Sequence, residues 1–177
     1  MVGTVLPMVG SRWNPWAALR SRPSTALVWQ PLVGGGGCVE VSPDGGEVVV
    51  LDPRLSRRDR RAILAHELVH LERRVLPAGT PRPVVDREEF QVRAETVRRL
   101  VPGDDLRRFV AARSTVGPVT ADLVADEFDV PVSIAQSALD RLGRAGPWSD
   151  GDGSGPRDDD RSGPHDDGAG QPIVQSS

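Results

Sequence analysis

Two histidines and a glutamate lie close together in the stretch RAILAHELVHLERR, residues 61–74. His66 and His70 are four positions apart, and Glu67 directly follows the first histidine. On a helix, residues at this spacing project from the same side, so both imidazoles can bind one Zn²⁺ ion. Glu67 then lies beside the metal without being a ligand, where it can take a proton from a zinc-bound water. The pattern predicts a hydrolytic zinc centre with Glu67 as the catalytic general base.

A catalytic zinc site takes three protein ligands and keeps one position open, so a third ligand is needed. The one other histidine, His165, lies in a polar tail, and Cys38 lies in a predicted strand. We therefore expect a carboxylate from the helix that follows the histidines. The candidates there are Glu88, Glu89, Glu95 and Asp86.

Helix geometry separates these carboxylates. The apolar residues Phe90, Ala94, Val97 and Val101 recur at helical spacing and define the predicted buried face. Glu89 lies about 100° from Phe90, at the edge of that face, whereas Glu88 and Glu95 point to solvent. We favour Glu89 as the third ligand and keep Glu95, Glu88 and Asp86 as alternatives.

The elements around these residues predict a small α+β domain. Three β-like runs, TALVWQPL, CVEVSP and EVVVLD, are separated by VGGGG and DGG and predict an N-terminal antiparallel hairpin sheet. The active-site helix follows, with Ser56 and Asp59 at its start and a buried stripe of Leu64, Leu68, Leu71 and Val75. The next helix, DREEFQVRAETVRRLV, carries the glutamates and ends before Pro102–Gly103.

Composition divides the chain into four parts. Residues 1–24 form an N-terminal segment with a short helix expected around Trp16–Arg20. Residues 25–113 form the catalytic domain, and 114–146 form a pair of helices packed on it. Residues 147–177 hold seven aspartates against two arginines among Gly, Pro and Ser, which predicts a disordered acidic tail.

Charge, cysteine content and hydropathy limit the compartment and the partners. Residues 1–146 are close to neutral, at +2, so no nucleic acid or anionic membrane is required as a partner. A single cysteine excludes an internal disulfide and fits a reducing compartment. The chain begins without a secretory signal pattern and has no apolar run of membrane-spanning length. We expect a cytoplasmic protein.

The segment VADEFDVPVSIAQSALDRL has the spacing of a helix-turn-helix, whose second helix could read DNA. The residues of its candidate recognition face are Ser133, Gln136, Ser137 and Asp140. This face carries no arginine, and affinity for DNA depends largely on cations that neutralise phosphates. We therefore expect no direct DNA binding. The pair of helices is expected to pack on the catalytic domain and shape its substrate groove.

The stretch LAHELVHLER, followed by the frame E-x-x-V-R-x-E-x-x-R-R-L-V-P, resembles the ImmA/IrrE-type zinc metallopeptidases, above all their actinobacterial and actinophage versions. The resemblance covers about residues 25–145 and is most specific over 61–102. It implies a zincin-like fold, with the first glutamate of that frame, Glu89, as the third ligand. It also implies a metallo-endopeptidase that cleaves a helix-turn-helix repressor of phage or mobile-element genes.

Two departures from that family concern the chemistry around the metal. Arg93 stands where the family usually has an asparagine, beside the predicted ligand. The chain has no tyrosine, which many zincins use to stabilise the oxyanion of the tetrahedral intermediate. Arg93 or a backbone N–H is therefore expected in that role, and Arg93 is also a candidate outer partner of the zinc ligand.

A second function class fits the same sequence. A binding module, with or without a structural metal, could contact a repressor or DNA without cleaving anything. The two classes differ in whether Glu67 is needed for the effect on the repressor.

Overall fold

The computed structural model describes residues 12–42, 44–77, 79–115 and 117–144. Within them the chain forms a three-stranded sheet and six helices, which confirms a small α+β fold. In chain order the elements are α1 (Pro15–Arg20), β1 (Thr25–Trp29), β2 (Gly37–Val41), β3 (Glu47–Leu51), α2 (Arg57–Arg73), α3 (Arg82–Leu100), α4 (Gly103–Arg113), α5 (Ala121–Phe128) and α6 (Val132–Arg144). The predicted acidic tail lies outside the described residues, and so does the N-terminal segment before residue 12.

The sheet is mixed, with strand order β1-β3-β2. The predicted hairpin between β2 and β3 is confirmed, with Val39 opposite Val49 in an antiparallel pair. The expectation of a wholly antiparallel sheet is wrong, because β1 pairs with β3 in parallel and Leu27 lies opposite Val49. The strand β3 is the most apolar of the three, and it takes the central position, where both of its edges are paired.

The glycine-rich connection between β1 and β2 makes this topology practicable. Trp29 at the end of β1 and Gly37 at the start of β2 both lie opposite Leu51, so the connection passes over the end of β3. Asp52, which follows β3 and is buried, accepts a hydrogen bond from the Leu32 amide at 2.9 Å. Three successive glycines of the connection, residues 34–36, have positive φ, a conformation that glycine adopts without steric cost.

The helix α2 begins after Ser56, as predicted. The Ser56 hydroxyl accepts a hydrogen bond from the Asp59 amide at 3.2 Å and contacts the Asp59 carboxylate at 2.6 Å. Leu64 and Leu68 are fully buried against the sheet, together with Leu71, Val49 and Leu51. Val75 was expected in this stripe but is 41% exposed, because the helix ends at Arg73 and the chain leaves the core.

The helix α3 buries a face that only partly matches the prediction, since Val97 and Val101 are buried as expected. Its buried residues are Val92, Thr96, Val97 and Leu100, whereas Phe90 is 68% exposed. Thr96 can occupy the core because its hydroxyl donates to the Val92 carbonyl at 2.8 Å, which leaves its methyl group to pack. The helix also begins at Arg82, four residues before the expected start.

The helices α5 and α6 form the predicted helix-turn-helix pair, joined by a turn in which Asp129 adopts the left-handed conformation. The first turns of α2 hold this pair through arginines. Arg58 binds the Asp126 carboxylate at 2.8 Å, and Arg61 donates to the carbonyls of Phe128 and Asp129 at 3.2 and 3.1 Å. The pair is therefore fixed to the same helix that carries His66 and His70.

In the part of the chain that the structure describes, no helix is both long enough and apolar enough to cross a membrane.

The close approach of β2 to α2 gives a prediction for stability. A Cβ atom at Gly37 would lie 2.6 Å from Ile63 Cγ2 and 2.9 Å from the Val50 carbonyl oxygen. Gly37→Ala should therefore lower the free energy of unfolding by about 1–3 kcal/mol, the usual result of overpacking. Urea denaturation measures this change. The matched control is Gly143→Ala in α6, where a Cβ meets nothing within 4 Å. It should leave stability unchanged or raise it by up to about 1 kcal/mol, and an equal loss in both variants would contradict the packing argument.

Candidate metal centre

The two histidines of the motif face each other on consecutive turns of α2. His66 Nε2 lies 3.1 Å from His70 Nε2, and the ring planes are inclined at 78°. The helix is continuous from Arg57 to Arg73, so the four-residue spacing places both rings on one side of it. Both imidazoles point toward the same small volume.

Glu89 reaches this volume from α3. Its Oε1 lies 3.0 Å from His70 Nε2, and its Oε2 lies 3.6 Å from His66 Nε2. Within the described ranges, these three residues form the one group of His, Cys, Asp or Glu side chains whose ligand atoms all lie within 4.8 Å of one another. The structure thus brings together the three predicted ligands.

The spacing of the three donor atoms fits a tetrahedral cation site. Zinc–nitrogen and zinc–oxygen bonds of about 2.0–2.2 Å place neighbouring donors of a tetrahedron about 3.3–3.5 Å apart. The two imidazole nitrogens lie 3.1 Å apart, and Glu89 approaches His70 with Oε1 at 3.0 Å and His66 with Oε2 at 3.6 Å. With one ligand atom taken from each residue, all three lie within 4.8 Å of one another. Two imidazole nitrogens and one carboxylate oxygen also form a donor set typical of catalytic zinc.

Two of the alternative carboxylates are engaged elsewhere. Glu88 accepts hydrogen bonds from the Arg73 guanidinium at 2.6 and 2.9 Å, which lower the pKa of Glu88. Asp86 pairs with Arg82 at 3.1 Å on the exposed side of α3. Neither residue belongs to the cluster around the imidazoles.

Glu95 is also held by arginines. Its carboxylate accepts hydrogen bonds from Arg98 and Arg99 at 2.6–2.7 Å, and these lower the pKa of Glu95 to about 2. Contrary to the expectation, neither Glu95 nor Glu88 points freely to solvent, since both are half-buried in ion pairs.

The position of Glu89 does not follow from the stripe used to predict it. The residues Val92, Thr96 and Leu100 define the face of α3 that is buried. Viewed down the helix axis, Glu89 lies about 20° from Thr96, near the middle of this face. It was expected at the edge of a face centred near Phe90. The structure puts Glu89 where the core face of α3 meets the histidines.

Glu67 lies beside the cluster and is 6% exposed. Burial, and then the negative charge of Glu89, raise the pKa of Glu67 to about 7. A carboxyl group with this pKa can accept and return a proton near neutral pH, as a general base and acid must. It lines a cavity of about 290 Å³ together with His66, His70 and the segment Gly37–Val39 of β2.

The electrostatics of His66 favour a neutral ring. Burial, and then the nearby His70, lower the pKa of His66, while Glu89 acts in the opposite direction. A metal-binding imidazole must be neutral, so the lowered pKa of His66 is consistent with its predicted role as a ligand.

Arg93 lies next to the third predicted ligand. Its Nη2 is 3.7 Å from Glu89 Oε2, one helical turn away, and its side chain is 73% exposed. The guanidinium therefore contacts the ligand carboxylate and still reaches solvent at the mouth of the site.

The surroundings of the cluster were predicted only in part, as a substrate groove shaped by the C-terminal pair of helices. The backbone of β2 lines one side, and a second cavity between α2, α3 and α6 opens beside His66. The position of β2 could have been predicted from the strongly apolar EVVVLD, because such a strand takes the centre of the sheet and leaves β2 at its edge. The spacing of residues along the chain does not predict the cavity between α2, α3 and α6.

Comparison of the chain with protein-family models, with curated proteins and with solved structures found no match.

The raised pKa of Glu67 predicts how the stability of the metal-free protein varies with pH. Between its ordinary value of 4.5 and about 7, the folded state keeps a proton that the unfolded state has lost. Stability should therefore fall as pH rises through this window, by about 3 kcal/mol in total. The variant Glu67→Gln has no carboxyl group to titrate at this position. Its free energy of unfolding minus that of the wild type should therefore increase by about 3 kcal/mol between pH 4.5 and pH 8.

Urea denaturation in the presence of a chelator measures both proteins at each pH. The opposite contribution of His66 is common to both and cancels in the difference. A difference that stays constant with pH would show that Glu67 titrates normally.

The ligand assignment predicts the zinc affinity of glutamate variants. Glu89→Ala should weaken zinc binding by more than about 100-fold, since even outer partners of ligands contribute 10- to 100-fold. Glu88→Ala and Glu95→Ala should leave the affinity within about threefold, because their carboxylates bind arginines. Competition with a chromophoric chelator measures all three. The reverse ranking would assign the third ligand to the other side of α3.

Proposed function

We propose that this protein is a zinc-dependent metallo-endopeptidase with a zincin-like catalytic domain. The observation that supports this most directly is the convergence of His66, His70 and Glu89, whose ligand atoms lie within 4.8 Å of one another. Glu67 is buried beside them, with its pKa raised to about 7. An ion-pair network that serves stability alone does not require a partly protonated carboxyl group next to two imidazoles.

In this proposal His66, His70 and Glu89 hold the metal. When bound, Zn²⁺ supplies Lewis acidity toward the scissile carbonyl and lowers the pKa of water at the site. Glu67 takes the proton of the attacking water and delivers it to the leaving amine.

A peptide is the substrate class that the surroundings favour. In the described sheet β2 pairs with β3 alone, so its other edge offers unpaired backbone N–H and C=O groups. Residues Gly37–Val39 of this strand line the cavity that contains Glu67. An extended chain added along β2 would run past the cluster with its own peptide bonds oriented by the strand. The strand β3, EVVVLD, is central in the described sheet and is paired along both edges.

Arg93 is the cation available for the oxyanion that forms during peptide hydrolysis. It lies beside Glu89 and is exposed at the mouth of the site, and the chain has no tyrosine. A guanidinium can donate two hydrogen bonds to a developing negative charge. In this proposal it replaces the tyrosine that many zincins use.

The resemblance of residues 61–102 to ImmA/IrrE-type peptidases extends the proposal to the substrate. We place the protein in the cytoplasm, where it cleaves a helix-turn-helix repressor of phage or mobile-element genes. One cysteine in the chain suits this reducing compartment.

The proposal predicts the behaviour of Glu67→Gln. This variant should bind zinc with nearly the wild-type affinity and lose at least about 100-fold in the rate of peptide-bond cleavage. The assay incubates zinc-loaded protein with the repressor encoded beside its own gene and follows the fragments by mass spectrometry. Glu88→Gln, at a glutamate held by Arg73, is the matched control and should cleave normally.

Two results would contradict the proposal. If Glu67→Gln still relieves repression in a reporter strain, the protein acts on the repressor as a binding module. If zinc-loaded wild-type protein leaves the repressor intact while binding it, the same conclusion follows.

A further inference from the structure

A second cavity adjoins the metal cluster on the side away from β2. It has a volume of about 340 Å³ and lies between α2, α3 and α6. His66 lines both this cavity and the one that contains Glu67. A chain bound at the cluster would therefore have one of its side chains directed at this opening.

The wall of this cavity is mainly apolar. Its aliphatic residues are Ala62 and Ile63 from α2, Val97 from α3 and Ile134 from α6. For comparison, an apolar cavity of about 150 Å³ binds benzene. The space is therefore sufficient for one leucine, phenylalanine or methionine side chain.

Two hydroxyl groups of the wall already have partners. The Thr96 hydroxyl donates to the Val92 carbonyl at 2.8 Å, and the Ser137 hydroxyl donates to the Ser133 carbonyl at 2.9 Å. Both side chains thus direct their hydroxyl hydrogens to their own helix. A polar side chain placed here would lose hydration without gaining these donors, whereas an apolar one would lose nothing.

Two charged residues of opposite sign, Asp59 and Arg93, lie at the rim. Asp59 contacts the Ser56 hydroxyl at 2.6 Å, and Arg93 lies 3.7 Å from the Glu89 carboxylate. A charged side chain of a ligand would therefore be attracted by one of them and repelled by the other. Charge at the rim does not select for a charged occupant.

The α6 side of the cavity bears on the role of the helix-turn-helix pair. Ser133 and Ser137, half of the candidate DNA-reading face, line this cavity. The other half, Gln136 and Asp140, pair with each other at 2.8 Å. The helix thus turns two of these four residues toward the catalytic cleft.

We propose that this cavity, which we call the α6 pocket, binds one large apolar side chain of the substrate next to the scissile bond. The proposal rests on the proposed peptidase function and adds the class of residue that the enzyme selects. In this proposal α6 forms one wall of the pocket, and its residues Ile134 and Ser137 determine which substrate side chain fits.

The first experiment tests the α6 pocket without any cleavage. Zinc-loaded Glu67→Gln protein is titrated with N-acetyl-leucinamide and, separately, with the polar N-acetyl-asparaginamide, and the isoleucine methyl groups are followed by NMR. We expect saturable shifts of Ile63 and Ile134 with the leucine probe, and at least about tenfold weaker binding of the asparagine probe. Equal affinity for the two probes, or unshifted methyl groups, would overturn the proposal.

The second experiment fills the pocket from its exposed rim. In Ser137→Trp the leucine probe should bind at least about tenfold more weakly, whereas Gln136→Trp, one residue away on the same helix, should bind as before. Ser133→Leu is a smaller obstruction at the same rim and should act in the same direction if the tryptophan variant fails to fold. An unchanged affinity in folded rim variants would overturn the proposal.

The third experiment uses wild-type, zinc-loaded enzyme on a mixture of peptides from a digested proteome. Cleavage should select Leu, Ile, Phe or Met at one fixed position beside the cut bond. In Ser137→Trp the ratio of kcat/KM for large over small residues there should fall about tenfold, with Gln136→Trp unchanged. Cleavage without such a preference would overturn the α6 pocket and leave the peptidase function standing. Probe binding in a protein that cleaves nothing would overturn the peptidase function instead.

Discussion

The contact between α2 and α3 determines whether the cluster exists at all. Ala62 and Ala65 of α2 belong to the same core as Val97 and Leu100 of α3. Small residues at a helix contact let the two backbones approach closely, and this approach carries Glu89 to the imidazoles. The opposite side of α2 is filled by leucines against the sheet, so the helix is fixed from two directions. The geometry of the cluster is therefore a property of the core.

The same arrangement opposes folding when no cation is present. Burial, and then the negative charge of Glu89, disfavour ionisation of Glu67. His66 is buried beside a second imidazole. Arginine pairs neutralise the other glutamates of this region, Glu88 and Glu95. At the cluster itself, a divalent cation would meet this acidity and stabilise the fold by binding the native state alone.

Local signals predicted the elements well and their mutual arrangement less well. The serine cap of α2 and the i, i+4 histidines depend on residues near in sequence, which a single chain displays. The parallel pairing of β1 depends on how the glycine connection passes over β3, a tertiary outcome. The buried face of α3 was only partly predicted, because Thr96, a polar residue, satisfies its hydroxyl within the helix, while the apolar Phe90 lies in the half that extends beyond the core. Glu89 was favoured from that partly correct face, and its role as a ligand stays a prediction.

The arginines at the start of α2 affect how this fold can be divided into parts. Arg61 donates to the carbonyls that end α5, and Arg58 binds Asp126, so the turn of the helix-turn-helix pair is completed by another helix. A segment excised at the boundary near residue 114 would lose these partners and expose the core residues Val124 and Phe128. The pair cannot be transplanted as a self-contained module. In evolution or in engineering, α5 and the turn after it can be exchanged only together with compatible first turns of the helix that carries His66 and His70.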